Sequence, residues 1–254
     1  MPIPAKLHYV WVGPKPLPVR DRAFINAWRQ LNPDFVIKRW TEQDIDLEKY
    51  PIVATAMRRG RYALAADVIR MYAVFKEGGI YLDTDVELLK PLKPLLKFDA
   101  FAGWESSFWF TTAVFGASRH HPWVGKILHR YALSDPNRRI TTNTFLKTVH
   151  SPSVYAAGFY DLKLNGKTQL FNGHEFAVFA PEYFSPKHYL TGVVHKTERT
   201  IAFHHYASTW HTRSEALKNE VSLLAYRKLG EKYYELLEKK FHEHIAKQIL
   251  QELP

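Results

Sequence analysis

Between Tyr62 and Glu77 the apolar residues Leu64, Val68, Met71 and Phe75 recur at spacings of four, three and four, which places them on one stripe of an α-helix. Gly78-Gly79 follows and supplies the usual stop. Upstream, Lys6 to Val12 crowds apolar and β-branched residues together until Gly13-Pro14 ends the run, the pattern of a short buried strand. A helix from about Val19 to Leu31 comes next. Asp34 to Trp40 then alternates as a second strand would, and Thr41 with Asp44 has the arrangement of a capped helix start. Strand, helix, strand, helix is the opening of an α/β fold.

After the double glycine, Ile80 to Leu82 reads as a short strand that delivers Asp83 and Asp85. Val86 to Leu89 stays extended until Pro91 and Pro94 break it. Further strands are expected at Ala100 to Glu105 and Thr111 to Gly116, and helices at His121 to Leu133 and Thr144 to His150. From Ser214 to Leu250 the chain is helical in character. Leu217, Val221 and Leu224, then Tyr233, Leu237, Phe241 and Ile245, share a stripe, and Gly230 marks a break. With no repeat and no low-complexity linker, the expectation is one domain over residues 1–213, with a helical extension, 214–254, packed on it.

Composition narrows the chemistry. The 254 residues include no cysteine, which removes thiolate metal sites and cysteine nucleophiles, so any metal must be held by oxygen or imidazole. A net charge of +10 favours anionic partners without choosing among them. The basic clusters Arg58-Arg59-Gly60-Arg61 and Arg138-Arg139 are short and far apart, and no zinc finger, RNP or basic-zipper pattern surrounds them. No apolar run approaches the roughly 20 residues of a membrane span, and Met1 to Gly13 lacks a signal-peptide layout. The expected location is cytoplasmic, with a peripheral contact to an anionic membrane left open.

Two aspartates one residue apart at a strand's end can share a divalent cation that neutralises a diphosphate. The pattern alone is cheap, since Asp44-Ile45-Asp46 repeats it where capping explains the acids. Asp83-Thr84-Asp85 differs in its setting, at the carboxyl edge of a strand, where ligands gather in open α/β sheets. Asp67 and Arg70 lie three apart on the long helix. They read equally well as a surface ion pair or as a flank facing a sugar and its phosphates.

Ala65-Ala66-Asp67-Val68-Ile69-Arg70-Met71-Tyr72 followed by Gly78-Gly79-Ile80-Tyr81-Leu82-Asp83-Thr84-Asp85 resembles the DxD sugar-binding region of glycosyltransferase family 32. The resemblance begins at Ile3 and is strong to about Leu88. It implies a GT-A type fold, a Rossmann-like mixed α/β sheet flanked by helices. It also implies a manganese or magnesium ion and retaining transfer of a hexose from a nucleotide-sugar, with a UDP-hexose first among donors and a glycan or lipid-linked oligosaccharide as acceptor, as in capsule or surface polysaccharide synthesis. By the same resemblance Val10, Trp11 and Tyr81 would line the donor site, with Trp11 near the base. Asp67 and Arg70 would contact the sugar, and Asp83 and Asp85 would hold ribose and metal. Phe203-His204-His205-Tyr206-Ala207-Ser208-Thr209-Trp210 is similar to the family's closing motif. There His205 would be a metal ligand, Ser208 or Thr209 the hydroxyl, and Trp210 the indole donor to the leaving phosphate.

The chain departs from the family pattern on the acceptor side. Thr112 stands where many bacterial relatives have asparagine, and Thr142-Asn143-Thr144 where Thr-Gly-Pro is usual. Two rival functions are a degenerate transferase kept for nucleotide-sugar or carbohydrate binding and a basic metal-dependent nuclease. The second would need more clustered acids and a continuous basic stripe.

Overall fold

The computed structural model describes residues 1–133, 152–172, 175–189, 191–207, 223–224, 226–228 and 230–251. Within them, β1 (Lys6–Val10), α1 (Val19–Leu31), β2 (Val36–Trp40), α2 (Pro51–Arg58), α3 (Tyr62–Glu77) and β3 (Gly79–Leu82) follow one another, with β1, α1, β2, α3 and β3 where the hydrophobic pattern predicts them. Then follow β4 (Val86–Leu88), β5 (Ala100–Trp104), β6 (Phe110–Ala117), α4 (Pro122–Ala132), β7 (Gln169–Phe171), β8 (Phe176–Phe179) and β9 (Ala202–His204), with a last helix over Glu231–Gln251.

Seven strands form one sheet in the order β2-β1-β3-β6-β5-β8-β7, and β4 pairs with β9 in a second, two-stranded sheet. The β1/β2, β1/β3 and β5/β8 pairs are parallel, while β6 runs against both β3 and β5. Side chains on alternate faces of the sheet feed two cores. Tyr81 joins Val68, Met71 and Trp123 of α3 and α4 on one face, whereas Ile80 and Leu82 join Ile25 and Trp28 of α1 on the other. Such division of successive residues between two apolar layers follows from the two-residue period of a strand.

The turn from α3 into β3 depends on glycine. Gly78 has φ +64° and accepts through its carbonyl a 2.7 Å bond from the buried His8 ring, whose other nitrogen takes the Trp40 indole N–H at 3.0 Å. Gly79 has φ +119°, and a Cβ there would lie 2.8 Å from both His8 Nε2 and the Lys6 carbonyl. Gly79→Ala is therefore expected to destabilise the protein by about 1–3 kcal/mol, read as a lowered denaturation midpoint. A midpoint equal to the wild type would contradict this.

Two sequence expectations are corrected. Thr41 to Lys49 forms turns, because Asp44 accepts from Thr41 N and Oγ1, and Asp46 from Glu48 N and Lys49 N. Its helix starts only at Pro51. The expected apolar stripe of the last helix is buried at Ile245 but exposed at Tyr233, Leu237 and Phe241, and His242 and Ile249 face inward with Ile245. Helices expected at Thr144 to His150 and over Leu217 and Val221 lie outside the described residues.

Candidate active site

The carboxyl end of β3 carries the site. Asp83 follows Leu82 and is fixed by its N–H on the Ala113 carbonyl of β6 at 2.9 Å, while its own carbonyl accepts Val86 N at 3.0 Å. This closes a turn with Thr84 and Asp85 at its tip. On one side of that turn, Arg70 of α3 reaches between two acids: Nη2 is 3.1 Å from Asp67 Oδ1 and 3.3 Å from Asp83 Oδ1. Its Nη1 donates to Thr112, to the carbonyl at 3.0 Å and the hydroxyl at 2.9 Å. The guanidinium lies over the Tyr81 ring, 4.9 Å from the centroid, and Tyr81 OH donates to Asp83 Oδ1 at 2.7 Å. Asp67, Arg70, Tyr81 and Asp83 are thus one cluster, and the Asp67–Arg70 pair is buried rather than on the surface.

One cation shared by two carboxylates leaves the cluster short of positive charge. Burial, with the like charge of Asp83 and against the pull of Arg70, pushes the Asp67 carboxyl up to about 6. Arg70 is held firmly charged by Asp83, Tyr81 and Asp67 despite its burial. Asp67 Oδ2 and Arg70 Nε are both buried with no hydrogen-bond partner. Buried polar atoms are normally paired. This buried pair therefore keeps one unmatched acceptor and one unmatched donor.

On the other side of the turn lies Asp85. Its Oδ2 accepts the Ala207 N–H at 2.7 Å and its Oδ1 is 3.4 Å from His204 Nε2. Burial would raise the Asp85 carboxyl, but His204 and the Ala207 N–H hold it at about 2. Burial would likewise depress His204, but Asp85, then Asp83 and Glu105, raise it. Ligand atoms of Asp83, Asp85 and His204 all lie within 4.8 Å of one another. Two carboxylates and an imidazole are an acceptable donor set for manganese, and a divalent ion there would compete with a proton for His204.

The histidine in this group is His204, not the expected His205. Consecutive residues of an extended segment face opposite ways, and β9 turns His204 toward Asp85 while His205 Nε2 pairs with Glu87 at 2.9 Å and its ring stacks on Phe24. Only the antiparallel register of β4 with β9, Val86 opposite His204, decides which of two adjacent histidines faces the acids. Sequence reasoning also passed over Glu105, whose carboxyl accepts the Tyr206 hydroxyl at 3.0 Å and is raised by burial. The Tyr206 ring packs 3.9 Å from His204, and Tyr206 has φ +53°, so this wall is built on a strained residue.

Val10 and Trp11 stand at the carboxyl end of β1, the neighbour of β3, and both are buried. The Trp11 indole donates to the Lys15 carbonyl at 2.7 Å. Ser208, Thr209 and Trp210 lie outside the described residues.

A mixed sheet between helical layers, with a DxD turn at its carboxyl edge, defines a GT-A type glycosyltransferase fold. A PaToxG glycosyltransferase structure superposes with a TM-score of 0.51 at 15% identity, over 62% of this chain and 69% of that one. Residues 18–102 match the family model described as a glycosyltransferase sugar-binding region containing a DXD motif. It is 28% identical over 130 residues to an inositol phosphoceramide mannosyltransferase of Schizosaccharomyces pombe, covering 50% of this chain and 36% of that protein. It is 32% identical over 102 residues to a mannosyl phosphorylinositol ceramide synthase of Saccharomyces cerevisiae, covering 39% of this chain and 27% of the relative.

Proposed function

We propose that the protein is a retaining, metal-dependent hexosyltransferase that takes a sugar from a nucleotide-sugar, with a UDP-hexose first among donors, and passes it to a glycan or lipid-linked acceptor. The observation that carries this reading is the shared end of β3, where Asp83 joins the Asp67–Arg70 pair to the Asp85–His204 pair. Arg70 is fixed by Asp67, Asp83 and Thr112, so its charge is in place before the donor arrives. The likeness to family 32 supports Asp67, paired with Arg70, as a contact of the donor sugar. Asp83, Asp85 and His204 would hold the ion. When bound, manganese or magnesium neutralises the charge that develops on the departing diphosphate.

The likeness to family 32 supports an acceptor side at Thr112. The net charge of +10 suits an anionic donor and draws it toward the protein. Retention is supported by the likeness to family 32, as are the capsule or surface polysaccharide setting and the roles of Trp11, Ser208 and Trp210.

Incubation with a panel of UDP- and GDP-sugars, followed by proton NMR of the released sugar, tests this reading. One donor is expected to be hydrolysed with manganese present and spared when the ion is chelated, and the sugar should first appear with the donor's own anomeric configuration. Hydrolysis indifferent to chelation would overturn the metal, and an inverted product would overturn retention. A panel left intact in every condition, with an acceptor library added, would overturn the transferase reading itself.

A further inference from the structure

The residue between the two acids does not face the site. Thr84 is buried, and its hydroxyl donates to Asp21 Oδ2 at 2.8 Å. Asp21 belongs to the first turn of α1, where an acid ordinarily sits in solvent and interacts with the helix dipole. Here it is 1% exposed, and its other oxygen takes Arg20 Nε at 3.3 Å and Nη2 at 3.1 Å. An ionised carboxylate is kept out of water at a considerable desolvation cost, which close partners must offset. Both of its oxygens are therefore committed, one to a cation and one to the middle of the DxD turn.

A second bond from the same helix reaches the same turn, since Trp28 Nε1 donates to the Val86 carbonyl at 2.9 Å. We infer that Asp21 and Thr84 are positioning residues that hold the Asp83 and Asp85 carboxylates at the separation a divalent ion requires. Thr84 anchors the turn to α1 from below while the acids on either side of it face Arg70 and His204 above. The spread of the carboxylates is then set before metal arrives, and binding does not have to order the turn. Outer partners that orient ligands in this way typically govern affinity for the ion by about 10- to 100-fold.

This inference rests on the metal reading of the site but fails separately from it. Manganese binding to the protein without donor, followed by electron paramagnetic resonance, is the direct readout. Thr84→Val, which keeps the shape and loses the hydroxyl, should weaken binding by about tenfold or more, and Thr84→Ser should restore it. The matching kinetic expectation is a raised manganese requirement for donor hydrolysis that is recovered at saturating metal. If Thr84→Val does not fold, Asp21→Ala, which removes the acceptor, replaces it with the same direction of change. Unaltered manganese affinity in whichever variant is folded overturns the positioning role and leaves the metal site standing. A wild-type protein that binds no manganese overturns both.

Discussion

Asp85→Asn is expected to lose at least about 100-fold of manganese-dependent donor turnover while remaining folded. The amide keeps the size of the side chain and one oxygen for the Ala207 N–H, but it cannot supply the anionic oxygen that now lies 3.4 Å from His204. Some stability goes with the charge. A carboxyl held at about 2 contributes stability that is present above the ordinary carboxylate range and is lost as pH falls through about 2, so at neutral pH the variant forgoes about 2 kcal/mol. The measurement is therefore paired: turnover at several manganese concentrations and a denaturation curve. Asp44→Asn is the matched control, because Asp44 belongs to the same sequence pattern but is bonded only into the local turn at Thr41. Full turnover in Asp85→Asn, or an equal loss in Asp44→Asn, would remove the catalytic assignment of the DxD turn.

What the sequence revealed of this site follows how local each feature is. Helix α3 and its stop were legible because Leu64, Val68 and Met71 repeat with the helical period and two glycines adopt positive φ directly after them. Asp83 and Asp85 were legible because the strand before them is short and apolar. His204 was not, since its neighbour is also histidine and the choice is made by pairing with β4, a strand more than a hundred residues earlier. The state of Asp67 and Arg70 was equally out of reach. Spacing placed them on one flank of the helix, but their burial depends on β6 bringing Thr112 over them. Thr41 and Asp44 misled for the opposite reason. A side-chain bond to a backbone N–H caps a turn as well as a helix, and only the continuation to Pro51 tells them apart.

The likeness to a DXD sugar-binding region was legible in the sequence, because the spacing from Asp67 to Asp83 and the double glycine coincide. The family model covers residues 18–102 and thus leaves out β6 and β9, the elements that bring Thr112 and His204 toward the site.

Replacing Arg70 with methionine should cost about 3–5 kcal/mol of stability and eliminate turnover, since it removes the cation that Asp67 and Asp83 share among the described residues. The loss should depend on pH in a definite direction. Asp67 already stands at about 6, raised by burial and by Asp83 and lowered only by Arg70. A carboxyl raised above its unfolded value contributes stability that is full below the ordinary carboxylate range, near 4, and lost as pH climbs through the folded value. Without Arg70 the folded value rises further, so the deficit against wild type should widen between pH 5 and pH 8. Denaturation curves at the two pH values measure it, and a deficit that is constant or narrows would show that Asp67 does not depend on Arg70. Arg70→Lys sharpens the test. It restores the charge, so much of the pH-dependent deficit should disappear, yet a single ammonium cannot span Asp67, Asp83 and Thr112 as the planar fork does, and turnover should stay low. Stability recovered without activity would separate the two roles of Arg70, neutralising buried acids and aiming a fixed charge at the donor.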